Sequence, residues 1–188
     1  AARWMLDESS GTTAYDFVGT RNGMSMDGPS WTVNGKIYGA MTFDGVYDYV
    51  AIDSPIVAND TSWTIAAWFK TTATVEQDIY GEGNSTNLTP FVRVIVNRSA
   101  SGQIGFEHRD DAGTFANDNV GVTANDGNWH HVAIVREAAS TYKTYFDGAL
   151  KSTYTALSGG TTTVDRSAIG ALVRNGAGDF FNGTIDDV

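Results

Sequence analysis

The sequence predicts an all-β protein built as a two-sheet antiparallel β-sandwich, and three observations carry that reading. Almost every hydrophobic segment of the 188 residues alternates with a period of two rather than 3.6. Clusters of Gly, Asn, Asp and Thr separate these segments, as turns between short strands require. The strands number about ten, more than a small barrel uses, and they suit two packed sheets.

The first strand is expected at residues 3–6, followed by 40–43 and 49–52. A single helical turn fits residues 53–57, and no segment of a dozen residues carries a helical stripe. Residues 63–70 alternate most clearly. Trp63, Ile65, Ala67 and Phe69 share one face and read as core, while Thr64, Ala66, Trp68 and Lys70 share the other. Strands at 91–96, 103–108, 129–136 and 142–146 follow, with hairpin signals at Asn125-Asp126-Gly127 and Asp147-Gly148. Residues 158–163 read as a flexible loop, and strands at 167–169 and 183–188 close the chain. There is no internal repeat or shift in composition, so residues 1–188 read as one domain.

Composition narrows the partners. The net charge is −10, and the 12 Lys and Arg are scattered, which argues against nucleic acid and anionic lipid. The longest apolar run, residues 63–69, is far below the roughly 20 residues that cross a bilayer, so no membrane insertion is expected. Cysteine is absent, which permits either redox compartment. Residues 1–4 carry no basic head followed by an apolar stretch, so a signal peptide is expected only on a precursor.

Several segments, read in order, carry a family resemblance. They are Trp4-Met5-Leu6-Asp7-Glu8, Ala40-Met41-Thr42-Phe43-Asp44-Gly45, Trp63-Thr64-Ile65-Ala66-Ala67-Trp68-Phe69, Gly127-Asn128-Trp129-His130-His131-Val132-Ala133, Tyr145-Phe146-Asp147-Gly148 and Phe181-Asn182-Gly183-Thr184-Ile185-Asp186-Asp187-Val188. The set resembles the laminin-G-like jelly-roll domains of the concanavalin A-like lectin/glucanase superfamily. Related domains usually continue past the Ile-Asp-Asp-Val segment, so either the last strand is short here or the residues that complete it belong to a longer parent. The resemblance implies a calcium-stabilised module that binds a glycan or polysaccharide at or outside the cell surface, beside other domains of a multidomain secreted protein. Such domains elsewhere also recognise proteins, which leaves an adhesion or protein-interaction domain as an alternative, with a polysaccharide-degrading enzyme behind it.

Four groups of residues suggest chemistry. Asp16, Asn22, Asp44 and Asp186 offer the oxygen donors that a hard cation such as Ca²⁺ requires, and the resemblance implies a structural ion where the first and last strands meet. The same residues also read as turn formers and surface acids. Adjacent His130 and His131 point to opposite faces of a strand and so cannot chelate one zinc. A structural role beside Trp129 is expected for one of them. No Glu-x-Asp-x-x-Glu run supplies paired catalytic carboxylates, and Glu107-His108-Arg109 leads into a turn, so no catalytic residue is assigned. Finally, Trp68, Tyr80, Arg93, His108 and Tyr145 join rings to planar polar groups, as sugar binding requires, if their strands share a sheet face.

Overall fold

The computed structural model describes residues 1–99, 101–155 and 160–188. Residues 158 and 159 of the expected 158–163 loop lie outside them. In chain order the strands begin with β1 (Thr13–Ala14), β2 (Gly23–Met26), β3 (Ser30–Ile37), β4 (Gly39–Asp44), β5 (Tyr49–Ile52) and β6 (Trp63–Lys70). Next come β7 (Gln77–Gly83), β8 (Phe91–Val96), β9 (Gln103–Arg109), β10 (Phe115–Gly121), β11 (His130–Ala138) and β12 (Thr141–Phe146). The chain ends with β13 (Ala149–Thr155), β14 (Arg166–Ile169), β15 (Leu172–Val173), β16 (Ala177–Gly178) and β17 (Asn182–Asp186). Among the described residues there is no helix. The expected helical turn at 53–57 is a series of bends in which Asp60 N–H bonds the Val57 carbonyl at 2.9 Å.

All pairing is antiparallel. One sheet has eight strands in the order β1-β2-β5-β14-β7-β8-β9-β10, and the other has seven, β13-β12-β11-β6-β17-β4-β3. The strand expected at 3–6 contracts to a bridge between Trp4 and Asp16, with Trp4 exchanging two backbone hydrogen bonds with Val188 at 2.9 Å. The Asp147-Gly148 hairpin forms between β12 and β13, with positive φ at both residues, 50° and 76°. The Asn125-Asp126-Gly127 segment does not make a hairpin. It carries the chain from β10 in one sheet to β11 in the other.

Alternation decides which side chains fill the space between the sheets. Ile65, Ala67 and Phe69 of β6, Val132 and Ile134 of β11, and Tyr142 and Phe146 of β12 share a core with Val92, Val94 and Val96 of β8 and Ile104 and Phe106 of β9. The Phe106 and Tyr142 rings stack at 4.7 Å with 21° between planes, joining the two sheets. The intervening residues of each strand face outward.

One crossing segment shapes the outer surface of the eight-stranded sheet. Residues 171–173 lie against β7, where Gly81 and Gly83 leave room for a backbone. A Cβ at Gly83 would stand 2.1 Å from the Val173 carbonyl oxygen. We expect Phe106→Ala to lower stability by about 3–5 kcal/mol in urea unfolding, because it removes one of the rings that join the sheets. A loss under about 1 kcal/mol would show that the inter-sheet contact matters little.

Candidate functional site

The five residues expected to bind sugar do not share a face, because strand parity divides them among three layers. His108 points inward with Ile104 and Phe106. Its Nδ1 lies 3.0 Å from the Tyr142 hydroxyl and its Nε2 2.9 Å from Thr162 Oγ1. Tyr80 is also buried, its parity shifted by the bulge between Asp78 and Tyr80, and it donates to Glu82 Oε1 at 2.7 Å. Glu82 in turn accepts the backbone N–H groups of Ile56, Val57 and Ala58, so this pair braces a loop. Trp68 and Tyr145 face outward from the seven-stranded sheet, whereas Arg93 faces outward from the eight-stranded one. A single platform made of all five is therefore ruled out.

The four expected calcium ligands are also dispersed. Asn22 Oδ1 accepts the Asp16 N–H at 3.0 Å, so these two do meet. Asp44 lies opposite Asn182 at one end of β17, and Asp186 stands at the other end, about 13 Å away at strand spacing. The Asp16 carboxylate accepts N–H groups from Arg3, Val18, Gly19 and Arg21 at 3.0–3.1 Å. Burial pushes its pKa up, but these donors outweigh burial and hold it below the usual carboxylate range. Asp16 thus works as a loop pin. Asp44 Oδ1 accepts Val46 N–H at 2.8 Å, and Asp186 Oδ2 accepts Ile37 N–H at 2.8 Å. Among the described residues no three His, Cys, Asp or Glu gather as a metal would require. The four residues do not fit one calcium.

The histidine pair behaves as parity demands. His130 lies against Phe146 at 4.8 Å, with its ring nitrogens 2.8 Å from Asp147 and 3.1 Å from Asp126. His131 turns the other way, 5.0 Å from the Trp68 ring.

The densest group of cations lies on the outer face of the eight-stranded sheet. β8 sends Phe91 and Arg93 outward, and β9 places Arg109 and Glu107 directly opposite them. Arg93 meets Glu76 and Asp179 at 3.0 Å, Glu107 at 3.1 Å and Asp78 at 3.5 Å. Burial alone pushes the pKa of Glu107 up, but Arg109, Arg93 and Arg98 outweigh it and keep it low. Glu107 takes 2.6 Å and 3.0 Å contacts from Arg109 Nε and Arg98 Nη1. Asp78 is pushed well above the carboxylate range by burial, with Arg93 opposing.

Three guanidinium groups surround the buried Phe91 ring, with Arg174 at 4.5 Å, Arg109 at 5.5 Å and Arg93 at 5.7 Å. Arg109 also lies 5.0 Å from the ring of Phe115, which is 47% exposed. The ion pair of Arg109 uses Nε, leaving its terminal nitrogens in excess of that contact. Arg174 bonds the Leu88 carbonyl at 3.2 Å and has no acidic partner among the described residues. Chemically, the patch offers forked cationic donors beside an exposed ring, suited to a planar anion such as a carboxylate.

Sequence reasoning missed Phe91, Arg109, Phe115 and Arg174. The available signal was the matching alternation Phe91-Val92-Arg93 and Glu107-His108-Arg109, which brings charge to one face when the two strands pair.

The described strands form a two-sheet antiparallel sandwich with polar and aromatic side chains on its outer faces. The chain belongs to the concanavalin A-like lectin/glucanase superfamily, whose laminin-G-like profile matches residues 44–188. No curated protein matches it in sequence. Among solved structures, it resembles the CBM40 of the Ruminococcus gnavus IT-sialidase bound to α2,3-sialyllactose, with 22% identity over 68% of this chain and 73% of that one and a TM-score of 0.59. Domain 4 of AbnA, a GH43 extracellular arabinanase from Geobacillus stearothermophilus in complex with arabinotriose, is 16% identical over 99% of this chain and 88% of that one, with a TM-score of 0.70. The binding domain of Paraclostridial Mosquitocidal Protein 1 is 11% identical over 99% of this chain and 47% of that one, with a TM-score of 0.74. These neighbours are binding domains rather than catalytic ones.

Two buried groups make opposing contributions to pH dependence. Burial, then Arg136, push His108 down to about 4, with Asp110 opposing. The unfolded chain takes up this proton near 6.5, so His108 subtracts stability as the pH falls from about 6.5 to 4. Burial pushes Asp186 up to about 6, with the Ile37 and Lys36 N–H groups opposing. Its stabilising contribution is present below the unfolded value of 3.8 and is lost as the pH rises through about 6. Relative to wild type, His108→Gln should therefore fare better at low pH than at neutral pH, and Asp186→Asn the reverse. Urea unfolding at about pH 4 and about pH 7.5 reads both signs, and the opposite ordering would contradict these assignments.

Proposed function

We propose that this domain is a noncatalytic carbohydrate-binding module that takes acidic glycans on the outer face of its eight-stranded sheet. The observation that carries the reading is the guanidinium group of Arg174, without an acidic partner among the described residues, set beside Arg109 over Phe91 and next to the exposed ring of Phe115. A sugar carboxylate would accept from Arg109 and Arg174 while its pyranose face stacks on Phe115. Glu107 positions Arg109, and Arg93 is already engaged by Glu76, Glu107 and Asp179.

The net charge of −10 repels an acidic glycan at long range, so attraction has to come from contacts shorter than the Debye length of about 8 Å. Support also comes from the fold neighbour bound to sialyllactose and the one bound to arabinotriose. In this reading the module works outside the cell or on its surface, holding other domains of a secreted protein near a polysaccharide.

Calorimetric titration with 3′-sialyllactose, oligogalacturonate and neutral lactose tests the proposal. An acidic ligand is expected to bind and lactose to bind at least about tenfold more weakly, with Arg174→Ala abolishing the difference. Arg174→Lys should recover only part of it, because an ammonium lacks the planar fork. Equal affinity for lactose and the acidic sugars, or full affinity in Arg174→Ala, would refute the proposal.

A further inference from the structure

The seven-stranded sheet carries a second concentration of aromatic and polar groups, on the opposite side of the molecule from Arg174. On β6, Trp68 faces outward, and β11 sets His131 directly across from it, with ring centroids 5.0 Å apart. Trp129, just before β11, lies under Lys70 Nζ at 5.3 Å, and Lys36 Nζ sits 4.7 Å from the Trp68 ring centre. With Asp147 and Gly148 of the β12–β13 hairpin, Lys36, Trp68, Trp129 and His131 line a cleft of about 530 Å³.

These rings lie outside the sandwich core, which is filled by Phe69, Phe106, Tyr142, Phe146 and Phe181. Trp68 and Trp129 are partly buried here, and the ring surface they leave open lines the cleft. The polar framework is fixed. Asp147 accepts the His131 N–H at 2.9 Å and lies 2.8 Å from His130, while Asp186, across from Trp68 on β17, holds the Ile37 N–H and so steadies the arm carrying Lys36.

We propose that this cleft is a second carbohydrate site, specific for the neutral hexopyranose rings of a glycan chain. Its volume falls within the range for small-ligand sites and suits one or two sugar rings. The indole surface open to the cleft supplies stacking, Asp147 accepts from hydroxyl groups, and Lys36 donates to them as a single, mobile cation. No forked guanidinium is present among the lining residues, and the Asp147 carboxylate repels an acidic ligand. The site is independent of the acidic-glycan face, so the module would hold two chemically different chains at once.

Native affinity electrophoresis in gels containing soluble galactomannan, glucomannan, β-glucan or amylopectin tests the inference with wild type, Arg109→Ala/Arg174→Ala, Trp68→Ala and Trp129→Ala. At least one polymer should retard wild type and the double arginine variant alike. The apparent affinity should fall roughly tenfold or more in Trp129→Ala, with acidic-glycan binding retained. Retardation by none of the four, retardation lost with the arginines, or retardation unchanged in both tryptophan variants would overturn it. Should both tryptophan variants fail to fold, fluorescence of the folded double arginine variant decides. A shift on adding the retarding polymer supports the site, and an unchanged spectrum overturns it.

Discussion

The structure depends on the apolar contact between two sheets, which the stacked Phe106 and Tyr142 rings span. Because side chains alternate along a strand, burying one set against the opposite sheet commits the other set to solvent. Packing Val92, Val94, Ile104 and Phe106 inward leaves Phe91, Arg93, Glu107 and Arg109 no choice but the outer face. The cation cluster is thus a consequence of core register. A one-residue slip of β9 would bury Arg109 and expose Phe106.

Electrostatics then refines what parity supplies. Arg93 is enclosed by acids and Glu107 by three guanidinium groups, so most of the charge on that face is matched internally. Buried charge is tolerated only when paired, and these pairs hold the site in shape without contributing much net attraction for a ligand. Arg174 arrives from outside the sheet, on the segment that crosses Gly81 and Gly83, and for that reason it has no strand neighbour to neutralise it. Small residues on β7 are what allow that segment to approach.

Much of the fold was legible in the sequence because half-buried strands alternate. The face predicted for Trp63, Ile65, Ala67 and Phe69 is the face observed. Strands that hid did so for physical reasons. β7 is buried on both sides, β10 is built as Phe-Ala-Asn-Asp-Asn-Val-Gly from residues that otherwise signal turns, and β3 is largely exposed with Gly35 inside it. The site was less legible, since it depends on which strands become neighbours. Arg93 is a candidate from the sequence, and the residues that the fold gathers around it come from β9, β10 and a crossing loop distant in sequence. His108 is expected in the sugar-binding set because a buried histidine satisfied by Tyr142 and Thr162 looks, in sequence, like any polar residue on a strand. Asp16 has the composition of a metal ligand, yet its oxygens are occupied by backbone donors that no spacing rule reveals.

A crystal structure of the protein with 3′-sialyllactose bound would show whether the outer face of the eight-stranded sheet takes the sugar. The sugar carboxylate is expected within about 3 Å of the Arg109 and Arg174 guanidinium groups, with the ring against Phe115 and the Arg93 contacts to Glu107 and Asp179 intact. A ligand seated elsewhere on the molecule, or one whose carboxylate points into solvent, would contradict it.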